Sequence, residues 1–223
     1  MDAPPSNSVR TNRDFYDHIS HAYDLLADAG EHRARQTGER DLAVQQGERV
    51  LEIGFGTGNS LIDLANATGD TGGVTGIDIS RGMLEVARKK IEQAGLSSRV
   101  DLRIADARSL PLEDNTFDAA FTSFTLELFP LEDIPKVLAE VARVLKVGGR
   151  LGVVSMALAA ANERDSALEK TYKWMHVHFP HIVDCQPIDV NGFVRGAKLD
   201  IVHQTNMTIW TMPVAAIVAR KLA

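Results

Sequence analysis

The ten residues from Val50 to Asn59 constrain the fold more than any other part of this 223-residue chain. Apolar side chains at positions 50, 51 and 53 predict a buried strand, and Gly54, Gly56 and Gly58 follow it. The next residues, Ser60 to Ala67, can begin a helix. A strand, a glycine turn and a helix start favour a nucleotide-like ligand. Backbone can approach a ligand closely at glycine, and free N–H groups at a helix start attract negative charge.

The spacing of the glycines differs from the usual dinucleotide-binding sequence, Gly-x-Gly-x-x-Gly. Asn59 occupies the sixth position, and the third glycine comes one residue early, at Gly58. This spacing argues against a nicotinamide-dependent oxidoreductase, which stays open as an alternative. An acidic residue, Glu52, lies within the predicted strand, where an unpaired carboxylate is costly.

Strands and helices alternate along the rest of the chain. Helical periodicity is predicted over 13–29, 81–94, 131–145 and 162–179, and the third of these helices should end at Gly148-Gly149. Strands are predicted over 50–53, 73–79, 100–104, 117–123 and 150–156, followed by two late strands over 200–204 and 208–219. The late strands are joined around Asn206 with no helix between them, so they should be antiparallel. The pattern predicts an α/β, doubly wound, mostly parallel seven-stranded sheet that ends in an antiparallel pair.

Composition limits the partners and the compartment. A net charge of -6 and a pI near 5.6 argue against nucleic acid as the main partner. The single cysteine, Cys185, excludes an intramolecular disulfide and fits a reducing compartment. We identify no secretory signal and no apolar run long enough to span a bilayer, so a cytoplasmic protein is expected. Peripheral membrane contact stays open, and the sequence does not indicate an oligomeric state.

A carboxylate follows the second predicted strand. Asp78 lies 20 residues after Gly58, where an acid can accept hydrogen bonds from both hydroxyls of a ribose. The alternative role is to cap the helix that follows, and Ser80 is equally suited to that role.

Four segments in order resemble the class I S-adenosylmethionine-dependent methyltransferases. The Glu-x-Gly-x-Gly-x-Gly that begins at Glu52 resembles motif I of that class. The others are Ile104–Ala107, Ser109–Asp118 and Ala142–Arg150, the last with Val147 in place of the family's proline. Within the class, the chain resembles the ubiquinone/menaquinone-biosynthesis group, also called methyltransferase type 11, whose opening helix looks like residues 15–24.

The resemblance implies S-adenosyl-L-methionine as cofactor and S-adenosyl-L-homocysteine as product. It assigns the ribose to Asp78 and the adenine to Asp106 and the Ala107 N–H, and it places a tyrosine of the opening helix, Tyr16 or Tyr23, over the cofactor. The other positions assigned to the cofactor are Glu52, Gly54, Phe55, Gly56, Thr57, Gly58, Ile79, Met83 and Ser123.

Composition, together with the resemblance, divides the chain. Residues 1–12 are expected to be a disordered lead, and residues 13–223 a single methyltransferase domain. Within that domain, residues 13–45 form an N-terminal helical cap and residues 157–195 form an insert on the acceptor side.

The acceptor implied is a small molecule or a lipid, methylated by in-line displacement. The segment from Ser123 to Phe129 aligns with Ser-Phe-Gly-Leu-Arg-Asn-Val of the quinone methyltransferases, but Glu127 replaces the arginine. An arginine there would favour an anionic, phenolate-like acceptor, and a glutamate does not. If the acceptor must lose a proton, the candidate bases are Glu127, His18 and His21. Because methyl transfer needs no signature nucleophile, a catalytically silent cofactor-binding protein stays open.

A second cluster has the chemistry of zinc ligands. His176, His178, His181 and Cys185 lie close together in the sequence. However, the histidines fall at a predicted helix end beside a proline, and methyl transfer needs no metal. We therefore expect no metal and assign this segment to the acceptor-side insert.

Overall fold

The computed structural model describes residues 29–158, 187–209 and 212–222. In these ranges the strands and helices alternate as the sequence predicts. The strands are β1 (Arg49–Ile53), β2 (Gly73–Asp78), β3 (Val100–Ile104), β4 (Phe117–Ser123), β5 (Leu145–Met156), β6 (Leu199–Ile209) and β7 (Met212–Lys221). The helices are α1 (Ala29–Leu42), α2 (Asn59–Thr68), α3 (Arg81–Gln93), α4 (Ile134–Val144) and α5 (Val190–Gly196), with a 3₁₀ turn at Leu126–Leu128.

The strands form one seven-stranded sheet in the order β3-β2-β1-β4-β5-β7-β6. The first five strands along the chain pair in parallel, and β7 is antiparallel to both β5 and β6. The predicted fold class is therefore confirmed. The order reverses at β1, which lies between β2 and β4, so the residues after β1 open into the crevice where α/β sheets bind ligands.

Each face of the sheet is covered by its own set of helices. Leu51 and Ile53 of β1 pack into a cluster with buried residues of α4 and α5, and Val50 packs on the other face with residues of α1, α2 and α3. Alternate side chains of a strand point to opposite faces, so Glu52 shares its face with Val50. The predicted strand therefore directs one carboxylate into the layer of α1 and α2.

Helix α1 lies close against the sheet. A Cβ on Gly38 would lie 2.3 Å from the Val154 side chain of β5, so only glycine allows this approach. The end of the helix is held by Arg150 of β5, whose guanidinium donates to the Leu42 carbonyl at 3.1 Å and pairs with Glu48 at 2.7 Å. These contacts fix α1 against the sheet.

Two predicted boundaries are wrong. The predicted turn at Asn206 is absent because Asn206 pairs with Ala215 inside the β6–β7 ladder, whose last pair is Ile209 with Met212. The residues before Gly148-Gly149 do not extend α4, which ends at Val144. They belong to β5, whose pairing with β4 shifts register between Phe117 and Ala119. In both places the local pattern resembles a turn or a helix, but sheet pairing decides the conformation.

Part of the predicted acceptor-side insert packs into the core. Ile188, Val190 and Val194 are fully buried in the cluster that α4 and α5 share with the sheet. Within the described ranges, we find no helix long and apolar enough to cross a membrane.

Candidate functional site

The glycine loop between β1 and α2 contains two kinds of glycine. Gly54 donates its N–H to the Ile77 carbonyl at 2.8 Å, and a Cβ there would lie 2.3 Å from the Thr125 side chain at a φ of +72°. Gly56 has a φ of +51°, and nothing lies within 4 Å of the position of its Cβ. Packing therefore requires glycine at position 54, whereas position 56 faces open space that a ligand can fill.

Asp78, at the end of β2, is held against this loop. Its Oδ2 accepts the Gly56 N–H at 2.9 Å and its Oδ1 accepts the Ser80 N–H at 2.9 Å. Ser80 caps α3 by accepting the Met83 N–H at 3.1 Å. The cap is thus Ser80, which leaves Asp78 with a carboxylate that two backbone donors orient beside the open position of the loop.

The first turn of α2 lies beside a cation. The helix cap is Gly58, which has no side chain, and the first turn carries no acidic residue. Lys90 of α3 donates to the Asn59 Oδ1 at 2.9 Å and to the Thr57 hydroxyl at 3.4 Å. A helix N-terminus with a nearby ammonium group has the charge that suits a carboxylate or a phosphate.

The predicted adenine residue, Asp106, is bound by a neighbouring arginine. Arg108 donates from Nη2 to Oδ2 of Asp106 at 2.6 Å and from Nη1 to Asp133 at 2.7 Å. Burial tends to raise the pKa of Asp106, but the hydrogen bonds from Arg108 outweigh it and hold the pKa below its usual value. Arg108 therefore joins the loop after β3 to the residue that precedes α4.

Beyond the carboxyl end of β4, a buried carboxylate reaches across to β5. Glu127 is 1% exposed, and it accepts the Ser155 hydroxyl at 3.0 Å and the Met156 N–H at 3.0 Å. Burial, with a smaller contribution from the charge of Glu31 in α1, raises its pKa to about 7 despite these hydrogen bonds. This carboxyl group can therefore exchange a proton near neutral pH.

Comparison with known proteins supports the methyltransferase family that the sequence motifs resemble. Residues 50–149 match the family model described as a methyltransferase domain. A phosphatidylethanolamine N-methyltransferase of Cereibacter sphaeroides is 34% identical over 73% of this chain and 75% of its own length. The chain belongs to the class I S-adenosylmethionine-dependent methyltransferases. The predicted resemblance is thereby confirmed.

Two further relatives set limits on what membership implies. The ubiquinone/menaquinone biosynthesis C-methyltransferase UbiE of Teredinibacter turnerae is 38% identical over 69% of the chain. The alignment covers 61% of the length of UbiE. The chain spans about half to three fifths of the length of the curated relatives it matches. The crystal structure of the cyclase SpnF superposes with a TM-score of 0.76 and covers all of this chain and 98% of SpnF at 20% identity. The chain thus shares its fold with SpnF.

The remaining candidate cofactor residues of the chain divide by burial. Phe55 and Met83 are buried in the core beneath the loop, and Thr57 and Ala107 are also buried. The remaining two candidates, Ile79 and Ser123, are half-buried at strand ends, and the Ser123 hydroxyl has no hydrogen-bond partner. Four candidates, Tyr16, Tyr23, His18 and His21, lie outside the described residues, as does the histidine–cysteine cluster around His176.

The strand end that carries Glu127 also contains a strained residue. Phe124 has a φ of +50°, a conformation that costs free energy for a side chain of this size. The turn brings Thr125 over Gly54, and the Thr125 hydroxyl donates to the Ser123 carbonyl at 3.0 Å. The turn after β4 therefore forms one wall of the glycine loop.

Sequence reasoning missed several residues of this site. Lys90 and Thr125 contact the glycine loop from distant parts of the chain, and Arg108 joins the loop after β3 to Asp133. The one sequence signal is the basic run that ends at Lys90, on a predicted helix. Their contacts depend on the packing of separate elements, which a motif of consecutive residues does not contain.

Proposed function

We propose that this chain transfers a methyl group from S-adenosylmethionine to a small-molecule or lipid acceptor. The observation that carries the proposal is the contact between the Gly56 N–H and the Asp78 carboxylate at the switch point of a methyltransferase sheet. The open space at Gly56 admits a ligand against the backbone, so the loop fits the cofactor.

The described residues divide the proposed cofactor site into three parts. Asp78 would accept the ribose hydroxyls, and Asp106 with the Ala107 N–H would hold the adenine. The start of α2, beside Lys90, would hold the amino-acid carboxylate. When bound, S-adenosylmethionine supplies an electrophilic methyl group on a sulfonium. The task of the protein is then to align the acceptor with that methyl group and to exclude water.

We place the acceptor over the carboxyl ends of β4 and β5, beside Glu127. Among the described residues, Glu127 is the candidate base that the structure allows us to assess, and its pKa of about 7 suits proton transfer near neutral pH. The relatives' names support the acceptor class, since UbiE acts in quinone biosynthesis and the Cereibacter enzyme is named for a phospholipid.

A second candidate function is cofactor binding without methyl transfer. The likeness to SpnF favours it, because a protein with this fold carries the name of a cyclase. Membership of the methyltransferase family argues against the nicotinamide-dependent alternative.

To test the proposal, the protein is incubated with methyl-labelled S-adenosylmethionine and with the lipid, quinol and amine fractions of a cell extract. We expect label in one fraction, and loss of that label with Asp78→Asn but not with Asp200→Asn, a matched change at an exposed position. In parallel, calorimetry measures the binding of S-adenosylmethionine and of NAD to the protein. Cofactor binding without labelled product would support the silent alternative, and binding of NAD alone would refute the proposal.

A further inference from the structure

Arg108 holds the Asp106 carboxylate by several hydrogen bonds at once. Its backbone N–H donates to Oδ1 at 2.9 Å, and its Nε lies 3.0 Å from Oδ1 and 3.1 Å from Oδ2. Its Nη2 donates to Oδ2 at 2.6 Å. Both oxygens of the carboxylate therefore accept from one arginine, in the fork-shaped arrangement that fixes the orientation of a carboxylate as well as its charge.

The donors of Arg108 leave one acceptor position on this carboxylate. An ionised carboxylate has about two acceptor positions on each oxygen. The backbone N–H and Nε fill those of Oδ1, since Nε carries one hydrogen and lies closer to Oδ1 than to Oδ2. Nη2 fills one position of Oδ2. Among the hydrogen bonds of the described residues, the second position of Oδ2 is left, and the Asp106 side chain is 33% exposed.

Arg108 is anchored on its other side. Its Nη1 donates to the Asp133 Oδ2 at 2.7 Å, immediately before α4. Asp133 also pairs with Lys136 at 2.6 Å, and its side chain is 7% exposed. The Arg108 side chain is itself largely buried. A planar guanidinium that binds a carboxylate on each side is held in one orientation, whereas an exposed arginine with one partner is not.

The charge of Asp106 suits a ligand that donates a hydrogen bond. Burial opposes ionisation of Asp106, but the hydrogen bonds from Arg108 outweigh it and hold the pKa below its usual value. An ionised carboxylate only accepts hydrogen bonds, so the position left on Oδ2 takes an N–H and repels a carbonyl oxygen. Adenine presents an N–H of this kind in its exocyclic amine.

We propose that Arg108 positions the Asp106 carboxylate so that a single acceptor, on Oδ2, faces the exocyclic amine of adenine. Arg108 is a positioning residue, because it acts on the ligand only through Asp106. The inference rests on the proposed function, since it requires that the adenine of S-adenosylmethionine lies beside Asp106. It extends that function by making recognition of the amine depend on Arg108 and on its anchor, Asp133.

Two ligands that differ in one group test the role of Arg108. One is S-adenosylhomocysteine, and the other is its purine analogue, in which a hydrogen atom replaces the exocyclic amine. Both keep the ring nitrogen that would accept the Ala107 N–H, so only the bond to Asp106 differs. Calorimetry should show that the natural sequence binds S-adenosylhomocysteine at least about tenfold more tightly, as expected for one hydrogen bond to a charged group.

In Arg108→Met this affinity ratio should fall to less than about a third of its natural value, because Asp106 is then free to turn toward water. Arg108→Lys keeps the positive charge without the planar fork, and it should lower the ratio as Arg108→Met does. A merely structural role of Arg108 would weaken the binding of both ligands equally and leave the ratio unchanged.

The chain offers a matched control for the arginine and another for its anchor. Arg103 also binds the acid two residues before it, Asp101, at 2.7 Å, but on an exposed part of β3. Arg103→Met should therefore leave the ratio at its natural value. Asp133→Asn weakens the anchor and should lower the ratio by a smaller factor than Arg108→Met. Lys136→Met, which removes the other partner of Asp133, should leave the ratio unchanged.

The outcomes separate this inference from the proposed function. A natural ratio in Arg108→Met, with S-adenosylhomocysteine still bound, would overturn the role of Arg108 and leave the proposed function intact. A natural ratio in Arg108→Lys would refute the role of the fork. Circular dichroism checks that each variant is folded; if Arg108→Met is not, Asp133→Asn decides, and an unchanged ratio there refutes the inference. Absence of S-adenosylhomocysteine binding by the natural sequence would instead overturn the proposed function.

Discussion

Replacing Glu127 by glutamine should stabilise the protein at high pH, although it removes a buried, hydrogen-bonded group. The glutamine carbonyl can accept the Met156 N–H, and its amide can donate to the Ser155 oxygen. The Ser155 hydroxyl already lies 3.2 Å from the Met156 carbonyl and can donate there instead. Both contacts therefore survive, and the main change is the loss of a buried ionisable group.

The magnitude follows from the pKa of Glu127, which burial raises from 4.5 to about 7. Below pH 4.5 the carboxyl is protonated in both the folded and the unfolded state. Between pH 4.5 and pH 7 the unfolded state ionises first, so the free energy of unfolding falls as pH rises. At about 1.4 kcal/mol per pH unit, the natural sequence loses about 3 kcal/mol by pH 8, and Glu127→Gln does not.

Urea unfolding followed by circular dichroism at pH 5 and pH 8 measures the difference. We expect similar stabilities at pH 5, and at pH 8 a variant more stable by about 2–3 kcal/mol. Glu113→Gln, at an exposed position, serves as the control and should show no such dependence on pH. A difference between Glu127→Gln and the natural sequence that is equal at both pH values would refute the assignment of a raised pKa to this carboxyl.

Four further substitutions test the glycine loop and the loops after β2 and β3. Gly54→Ala forces a Cβ into Thr125 at positive φ and should cost about 2–4 kcal/mol in urea unfolding. Gly56→Ala meets open space and should cost about 1–2 kcal/mol, yet weaken S-adenosylhomocysteine binding more than about tenfold; equal losses of stability would contradict this contrast. Asp78→Asn turns an amide NH2 group toward one of the two N–H donors that the carboxylate accepts and should weaken binding about tenfold in calorimetry, so an unchanged Kd would contradict it. Arg108→Ala leaves two carboxylates without their shared partner and should cost about 1–3 kcal/mol of stability, and an unchanged urea midpoint would contradict this.

The sequence predicted the sheet because its signals are local. Buried strands, the glycine turn and amphipathic helices each occupy consecutive residues, and their alternation implies parallel pairing. The turn at Asn206 was predicted wrongly for the same reason. An asparagine among polar residues resembles a turn, but pairing with Ala215 across β7 extends the strand through it.

The candidate site was predictable where one motif contains it. Asp78 follows its strand at the expected distance, and the structure brings it to the glycine loop. The contact between Arg108 and Asp133 was not predictable, because Asp133 reaches Arg108 through tertiary packing. The sequence also gave no sign that Glu127 is buried, since its burial depends on Ser155 and Met156 of β5.

The Arg108 bridge has a consequence for exchanging parts between relatives. Arg108 holds the loop after β3 through Asp106 and holds the start of α4 through Asp133. The segment between β4 and α4, which carries Glu127, is anchored at its far end by Asp133. A chimera that imports this segment from a relative without an acid matching Asp133 would lose the bridge between the loop that carries Asp106 and the segment that carries Glu127. Arg108 and Asp133 therefore form one transferable unit, and a graft of this segment must carry both residues.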